Sequence, residues 1–453
     1  MNKIRTRFAP SPTGFLHIGS LRTALYAYAL AKHEGGKFIL RIEDTDKERE
    51  VEGSTGTLQK TLKKFGLIWD EFYTQSERLP LYSNAAKKLV KDGHAFYCQC
   101  QPKNVKESGY STNLHDICRD KNLTSGAVKL KVPANRKVSY YDFVHRKEIA
   151  WDTNTVYDAT LLKSDGFPTY HLAAMVDDLD MKISHILRGH DWLPSTPIHL
   201  LVFEFLGGKR PEIGHLTDIL SATTGKKLSK RRDSVFCGQF LEQGFLPEAI
   251  LNFIMLLGWA PKDNRETFTL TDFIKNFDIN GFQEANPRFL ENKLLWFNGY
   301  YIRQKTDKEL IELLKVGFLP ENTNMKLLTK IIPLVKERIT KLSDFSSFAG
   351  FFFERKKVDK KLLGQNYKEH LSKAIDALKK GIPLDEVPKE NNFKVGDFFM
   401  DLRIAITGSK FTPPINESIE ILGKEESIKR LQYVVCRKHE KFCRYDYAGL
   451  SPQ

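Results

Sequence analysis

The first forty residues switch from extended to helical patterning and back. Residues 4–9 read as a strand, and Leu21, Ala24, Leu25 and Tyr28 then recur at i, i+3, i+4 and i+7, the spacing of one helix face. His33-Glu34-Gly35-Gly36 is a helix stop, and 37–42 reads as a second strand. Strand, helix and strand in so short a span predict a βαβ unit. Such a unit implies a parallel sheet whose ligands gather at the carboxyl ends of its strands. Two segments fall at those ends: the turn Pro10-Ser11-Pro12-Thr13-Gly14 and the cluster Glu43-Asp44-Thr45-Asp46. Further on, 76–91 reads as a helix ended by Gly93, and 120–165 alternates Val, Tyr and Phe with charges, as strands do. A strand over 183–187 leads into Arg188-Gly189-His190-Asp191-Trp192. Beyond residue 240 the pattern turns helical. Leu246-Pro247-Glu248 opens a helix that Gly258 ends, amphipathic segments cover 325–342 and 367–380, and 396–431 holds two or three short helices. No period repeats, and no segment is of low complexity.

Composition narrows the class. A chain of 453 residues suggests roughly three domains. With 41% hydrophobic and 11% aromatic residues it builds real cores rather than a disordered chain. Lys and Arg total 70 against 56 Asp and Glu, a net charge of +14 that suits a polyanion, nucleic acid before an anionic membrane. A merely solvated basic surface is the plain alternative. No uncharged apolar run reaches the ~18 residues of a membrane span, and the most apolar stretch, 249–260, reads as a buried helix. Neither a signal nor a transit peptide is expected, because the chain enters its first strand at once. Six cysteines in this length do not make a disulfide framework. The expectation is a soluble, cytoplasmic protein with no membrane partner.

The chemistry concentrates in three places. At the first turn, Pro10 and Pro12 stiffen the backbone, Gly14 permits close approach, and His17 stands where a helix begins. Open N–H groups at such an end attract phosphate, with Thr13 and His17 beside them. The bland alternative is an ordinary strand–helix corner, with Glu43 a solvated carboxylate. Far along the chain, Gly225-Lys226-Lys227-Leu228-Ser229-Lys230-Arg231-Arg232 is a flexible basic loop suited to a polyphosphate, although basic runs taken alone are usually solvent-facing. Together, the two loops fit attack on the α-phosphate of ATP with pyrophosphate leaving, Lys227 and Lys230 holding the growing charge. Tyr170 and Arg188 could both reach such a pocket, although each taken alone is more often structural. The third place is Cys98-x-Cys100 with His115-x-x-Cys118, four N/S ligands for a structural Zn²⁺. Tyr110 is an alternative to His115, and unmetallated thiols are the alternative to a metal. Cys436, His439 and Cys443 are loosely spaced and read as incidental.

These motifs resemble one family. Pro10 to Gly14 with Leu16-His17-Ile18-Gly19, Leu40-Arg41-Ile42-Glu43-Asp44-Thr45-Asp46, Pro168-Thr169-Tyr170-His171, Val176-Asp177-Asp178, Ser195-Thr196-Pro197 and Lys227-Leu228-Ser229-Lys230-Arg231 resemble bacterial-type glutamyl-tRNA synthetases. So do Phe398-Phe399-Met400-Asp401-Leu402-Arg403 and Ala405-Ile406-Thr407-Gly408. The resemblance implies an α/β Rossmann-type catalytic domain (1–95 and 176–238) with an α+β acceptor-end insertion (96–175). A helical stem-contact region (239–305) and an all-α anticodon-binding domain (306–453) would follow. It implies a class I ligase using L-glutamate, ATP with Mg²⁺, and tRNA(Glu), with tRNA(Gln) left open and a monomer as the family habit. Arg7, Ala9, Ser11, Glu43, Tyr170 and Arg188 would line the glutamate site. Thr13, Gly14, His17, Gly19, Asp191 and Lys230 would line the ATP site. Arginine forks suit carboxylates, and Glu43 suits the substrate ammonium. Ser20, Leu228, Ala174 and His190 depart from the family pattern, as does the spacing of the zinc ligands. Rival readings are a glutaminyl-tRNA synthetase, the short enzyme that glutamylates a tRNA base, a small-molecule adenylyltransferase without tRNA, and a non-catalytic RNA-binding homologue.

Overall fold

Strand β1 (Arg5–Phe8) and strand β2 (Lys37–Ile42) pair in parallel, with Arg7 opposite Ile39, across helix α1 (Ile18–His33). The βαβ unit is therefore as the patterning requires. A computed structural model describes residues 3–46, 51–100, 114–228, 235–320 and 323–436. Over those residues the chain forms two compact units, one from Met1–Glu242 and Leu246–Phe297, the other from Gln243–Phe245 and Asn298–Gln453.

In the first unit, helix α2 (Ser54–Lys64) carries the chain to β3 (Glu71–Thr74), which adds in parallel to β2. Helix α3 (Leu79–Lys91) is entered through a 3₁₀ turn, Gln75–Arg78, rather than as the one helix expected over 76–91. Pro80 lacks the N–H that would continue the earlier turn, so the α-helix restarts there. Strands β4 (Ala95–Cys98), β5 (Ala127–Leu130) and β8 (Thr160–Leu162) make a small antiparallel sheet. Between β5 and β8, β6 (Lys137–Asp142) and β7 (Lys147–Asp152) form a hairpin. Helix α4 (Tyr170–Asp180), β9 (His185–Gly189), α5 (Thr196–Leu206) and β10 (Glu212–Leu216) complete a second sheet of order β7-β6-β10-β9. The hairpin thus shares a sheet with β9 and β10, although it lies within the stretch read as an insertion.

Ser184, just before β9, stitches the sheet of β9 to that of β1. Its N–H donates to the Arg5 carbonyl at 2.9 Å, and its hydroxyl accepts from the Arg5 N–H at 2.8 Å. Because Ser184 is used in this way, β9 starts two residues later than the 183–187 expectation. Arg188 consequently sits inside the strand, in register with His215 of β10.

Helix α1 is buried on more than the one predicted stripe: Ala24, Tyr26, Ala27, Ala29 and Ala31 are all fully covered. Its alanines admit close neighbours, and Tyr26 Oη donates to the Leu257 carbonyl at 2.9 Å, just past the apolar helix Pro247–Met255. The core between α4, α5 and the sheets includes Leu172, Met175, Ile186, Leu201 and Ile213, each such side chain contributing ~1.5–3 kcal/mol on burial.

Among the described residues the second unit contains helices and no strand. The helix Tyr367–Lys380 has the bounds its periodicity predicts. The 325–342 segment instead stops at Lys336, yet Ile339 and Leu342 remain buried, so their apolar spacing belongs to a bent connection rather than a continued helix. Three helices, Val395–Thr407, Ile415–Leu422 and Lys424–Val435, close a core of Leu371, Phe398, Leu402, Ile419 and Leu431.

Candidate active site

The proline turn is pinned from two sides. The Pro10 carbonyl accepts from the Glu43 N–H at 3.0 Å; the Pro12 carbonyl accepts from the Val51 N–H at 3.0 Å and the Ser54 hydroxyl at 2.9 Å. His17 follows as the cap of α1. Its Nδ1 accepts from the N–H groups of Gly19 (3.1 Å) and Ser20 (3.3 Å), and its Nε2 lies 2.9 Å from Ser20 Oγ. A Cβ on Gly19 would stand 3.1 Å from the imidazole, so glycine makes room for the ring. The helix end was expected to offer open N–H groups to a phosphate. Instead the histidine itself occupies two of them, and the Ile18 N–H donates to the Val235 carbonyl at 3.0 Å.

At the neighbouring strand ends a charged network is buried. Arg41, wholly covered, donates to Asp178 Oδ1 (2.7 Å) and Glu43 Oε1 (3.1 Å). Arg7 Nε is 3.3 Å from Asp178 Oδ1, and its Nη1 donates to the Leu187 carbonyl. Burial pushes Glu43 up to about 7, with Arg41 and Arg7 opposing it. For Asp178 burial also works upward, but the two arginines outweigh it and hold the carboxyl below its ordinary value. Across the site, Arg188 is clasped by His215, His199 and Thr196. The ring of Tyr170 stacks on Trp192 with centroids 4.0 Å apart.

Lys227 sits where the basic loop leaves a bridge to Leu220, and its Nζ pairs with Asp191 Oδ1 (2.6 Å) and Asp218 Oδ1 (2.8 Å). Lys230 lies outside the described residues. Every other residue expected at the glutamate and ATP sites lines one cavity of about 530 Å³: Arg7, Ala9, Ser11, Glu43, Tyr170 and Arg188 with Thr13, Gly14, His17, Gly19, Asp191 and Lys227. Sequence reasoning gave no role to Trp192 or Asp218, which line the same cavity, or to His199 and His215 behind it. Arg41 carries a readable signal, a cation set among the apolar residues Phe38, Ile39, Leu40 and Ile42.

The cysteine cluster differs from its expected form in one ligand. Donor atoms of Cys98, Cys100, Asp116 and Cys118 all lie within 4.8 Å of one another. His115 instead turns to Arg119 Nη1 (2.9 Å) and Asp158 Oδ1 (3.5 Å). The Cys118 N–H donates to Asp116 Oδ1 at 2.9 Å, folding that carboxylate back toward the sulfurs. Three thiols and a carboxylate fit a tetrahedral Zn²⁺ site. Tyr110 lies outside the described residues.

Residues 3–296 match the family of class I tRNA synthetases (E and Q), catalytic domain, and residues 307–435 match an anticodon binding domain. With the parallel sheet and its loop-lined cavity, these matches define a class I tRNA synthetase. The chain is 36% identical to the glutamate–tRNA ligase of Alkaliphilus metalliredigens over 490 residues, covering 96% of this chain and 99% of that one. It is 37% identical to the glutamate–tRNA ligase of Treponema denticola, with 96% and 100% covered. A glutamate tRNA ligase from Elizabethkingia meningosepticum, crystallised in complex with its amino acid, matches with a TM-score of 0.83 at 32% identity, covering 96% of this chain and 99% of that one. Within the class, the chain belongs to the glutamate–tRNA ligase family.

Proposed function

We propose that the chain charges tRNA with L-glutamate in two steps. Glutamate and ATP give glutamyl-adenylate and pyrophosphate, and the terminal ribose hydroxyl of tRNA then takes the glutamyl group. The observation that carries this reading is the meeting of both expected residue sets in one cavity. In the first step a carboxylate oxygen of glutamate bonds to the α-phosphorus as the bond to pyrophosphate breaks. Positioning and charge do most of this work. Glu43 receives the substrate ammonium, Arg188 receives a carboxylate, and Arg7 acts from its anchorage on Asp178. Lys227, exchanging Asp191 and Asp218 for phosphate oxygens, and Lys230 hold the charge that builds on the leaving group. Thr13, Gly14, His17, Gly19 and Asp191 border the nucleotide, which enters as its Mg²⁺ complex.

The anticodon-domain match and the net charge of +14 support tRNA as partner, with tRNA(Glu) as the substrate of this reading and tRNA(Gln) decided by the test below. A small-molecule adenylyltransferase would leave that helical unit without a use. The four-part division at 95, 175, 238 and 305 belongs to this reading; its 239–305 region draws on both compact units, which divide at Phe297. Cys98, Cys100, Cys118 and Asp116 would hold a Zn²⁺ that would tie the end of β4 to the 114–118 turn; four protein ligands would leave no open catalytic position. Among the described residues no helix is long and apolar enough to cross a membrane; a cytoplasmic monomer accords with the reading. The test is charging of purified tRNA(Glu) and tRNA(Gln) with labelled glutamate and Mg-ATP. Charging of tRNA(Glu) is expected, and failure to charge any tRNA in a complete set overturns the proposal.

A further inference from the structure

Arg188 is a buried cation whose direct side-chain partners are all uncharged. It is 4% exposed, while His199, His215 and Thr196 around it are fully covered. Arg7 and Arg41, by contrast, each rest on a carboxylate. Arg188 Nε donates to His215 Nε2 at 3.0 Å, Nη1 donates to His199 Nδ1 at 2.9 Å, and Nη2 donates to Thr196 Oγ1 at 2.9 Å. A guanidinium has five N–H donors and accepts nothing, so each of these contacts must present a lone pair. That requirement fixes the tautomers. His215 accepts at Nε2, so its proton sits on Nδ1 and goes to Asp142 Oδ2, 2.8 Å away. Asp142 is itself satisfied by the Tyr140 hydroxyl and by the N–H groups of Val144 and His145. His199 accepts at Nδ1, so its proton sits on Nε2 and goes to His171 Nδ1 at 3.0 Å. The Thr196 hydroxyl gives its own proton to the Trp192 carbonyl and keeps a lone pair for Arg188. Two guanidinium N–H groups are left over for Tyr170, another hydrogen-bond partner, and for what enters the cavity that Arg188 lines.

We propose that His199 and His215 are positioning residues that, with Thr196, hold the Arg188 fork by neutral acceptors alone, leaving its charge uncompensated so that the site selects an amino acid with a second carboxylate over the neutral amide. The proposal rests on the glutamate reading of the cavity. Physically, a carboxylate in place of either imidazole would orient Arg188 equally well but would neutralise it in advance. An imidazolium would repel it and lose the lone pair. Only a neutral acceptor both orients the cation and leaves it unsatisfied. Burial keeps both rings neutral: His215 is held down at about 4, and His199 lies well below its ordinary value.

The experiment compares His199→Gln, His199→Leu and His199→Glu with the unmodified enzyme in tRNA charging. The readouts are KM and kcat for glutamate, KM for ATP, and the preference for glutamate over glutamine. Thermal melting serves as the folding control. His199→Gln keeps an acceptor for Arg188 and should hold KM for glutamate near the original. His199→Leu should raise that KM by about 10- to 100-fold, the usual loss for a hydrogen bond to a charged group, with KM for ATP unchanged. His199→Glu should cut the preference for glutamate over glutamine at least tenfold. Full discrimination in His199→Glu overturns the proposal, as does a His199→Gln enzyme impaired as badly as His199→Leu. If His199→Glu fails to fold, the Gln and Leu pair decides. If the unmodified enzyme charges no tRNA, it is the function that fails; calorimetric binding of glutamate and glutamine to the same proteins then still decides the cradle.

Discussion

Glu43 Oε1 lies 3.1 Å from Arg41 Nη2, and the two residues are neighbours on one face because they stand two apart at the end of β2. The pair shares a pocket too dry to keep a carboxylate fully at ease, and burial pushes Glu43 up to about 7. Below that pH the group is protonated in the free enzyme and cannot answer an ammonium. We expect kcat/KM for glutamate to fall as pH drops below about 7. In Glu43→Gln this acid limb should vanish, with a loss of about 100-fold at pH 8. A pH profile of charging checks both.

The same shift has a stability sign. A carboxyl raised from 4.5 to about 7 binds its proton more tightly when folded, so stability falls as pH rises through that window and stays lower above it. Glu43→Gln should therefore melt above the original at pH 8 while charging far less. Equal melting temperatures would mean that Arg41 fully repays the burial.

Lys227 holds two carboxylates that, on the proposed function, it exchanges for phosphates; burial works to lower its pKa, but the pull of both carboxylates keeps it above the ordinary value. Lys227→Ala should lower turnover by about 100-fold and shift KM for ATP far less, the pattern of a contact made chiefly in the transition state. Steady-state kinetics with saturating glutamate decide; an undiminished turnover removes Lys227 from the reaction.

At the cysteine cluster, metal analysis should find one zinc per chain, retained in His115→Ala and weakened in Asp116→Ala. Cobalt substituted into the same site should give a spectrum of three sulfurs and one oxygen, whatever the charging activity. Loss of metal in His115→Ala would restore the histidine as the ligand.

Acid should weaken the first unit as its buried histidines are forced to charge, the gain from protonating Glu43 opposing only part of the loss. Burial and then Arg188 hold His171 at about 4, and His215 is likewise held at about 4. Folded values below the ordinary 6.5 mean that stability is intact above it and drains as pH falls toward 4, by up to about 1.4 kcal/mol per unit for each histidine. Melting curves between pH 7 and 4 should show this, and His199→Gln with His171→Asn should make the fall shallower, leaving the part that His215 contributes.

Much of the site was legible because its residues travel in contiguous stretches. The turn from Pro10 to Gly14 and the strand ending at Glu43 are each set by local pattern, and one βαβ crossover brings them together. What escaped were partners joined only by register. Nothing near residue 188 announces His215, which becomes its neighbour through parallel pairing of β9 with β10. Asp142, which fixes the His215 tautomer, arrives from a third strand. The metal site failed at a finer scale. Spacing locates a ligand to within a residue, but adjacent side chains leave the backbone in different directions, and the turn that aims Asp116 at the thiols sends His115 to Arg119. At His17 the motif was recognised and its resting contact was not, since a ring that folds back onto its own helix leaves no trace in periodicity.

That contact bears on how easily an anion could reach the start of α1. Because the His17 ring already satisfies the N–H groups of Gly19 and Ser20, a stray phosphate reaching this helix must first displace an internal cap, a cost of ~1 kcal/mol. A nucleotide gripped elsewhere along its length can meet that cost, whereas a free ion has nothing to set against it. The helix end is thus guarded by its own cap, His17, and on the nucleotide reading it would open to a phosphate that arrives attached to something larger.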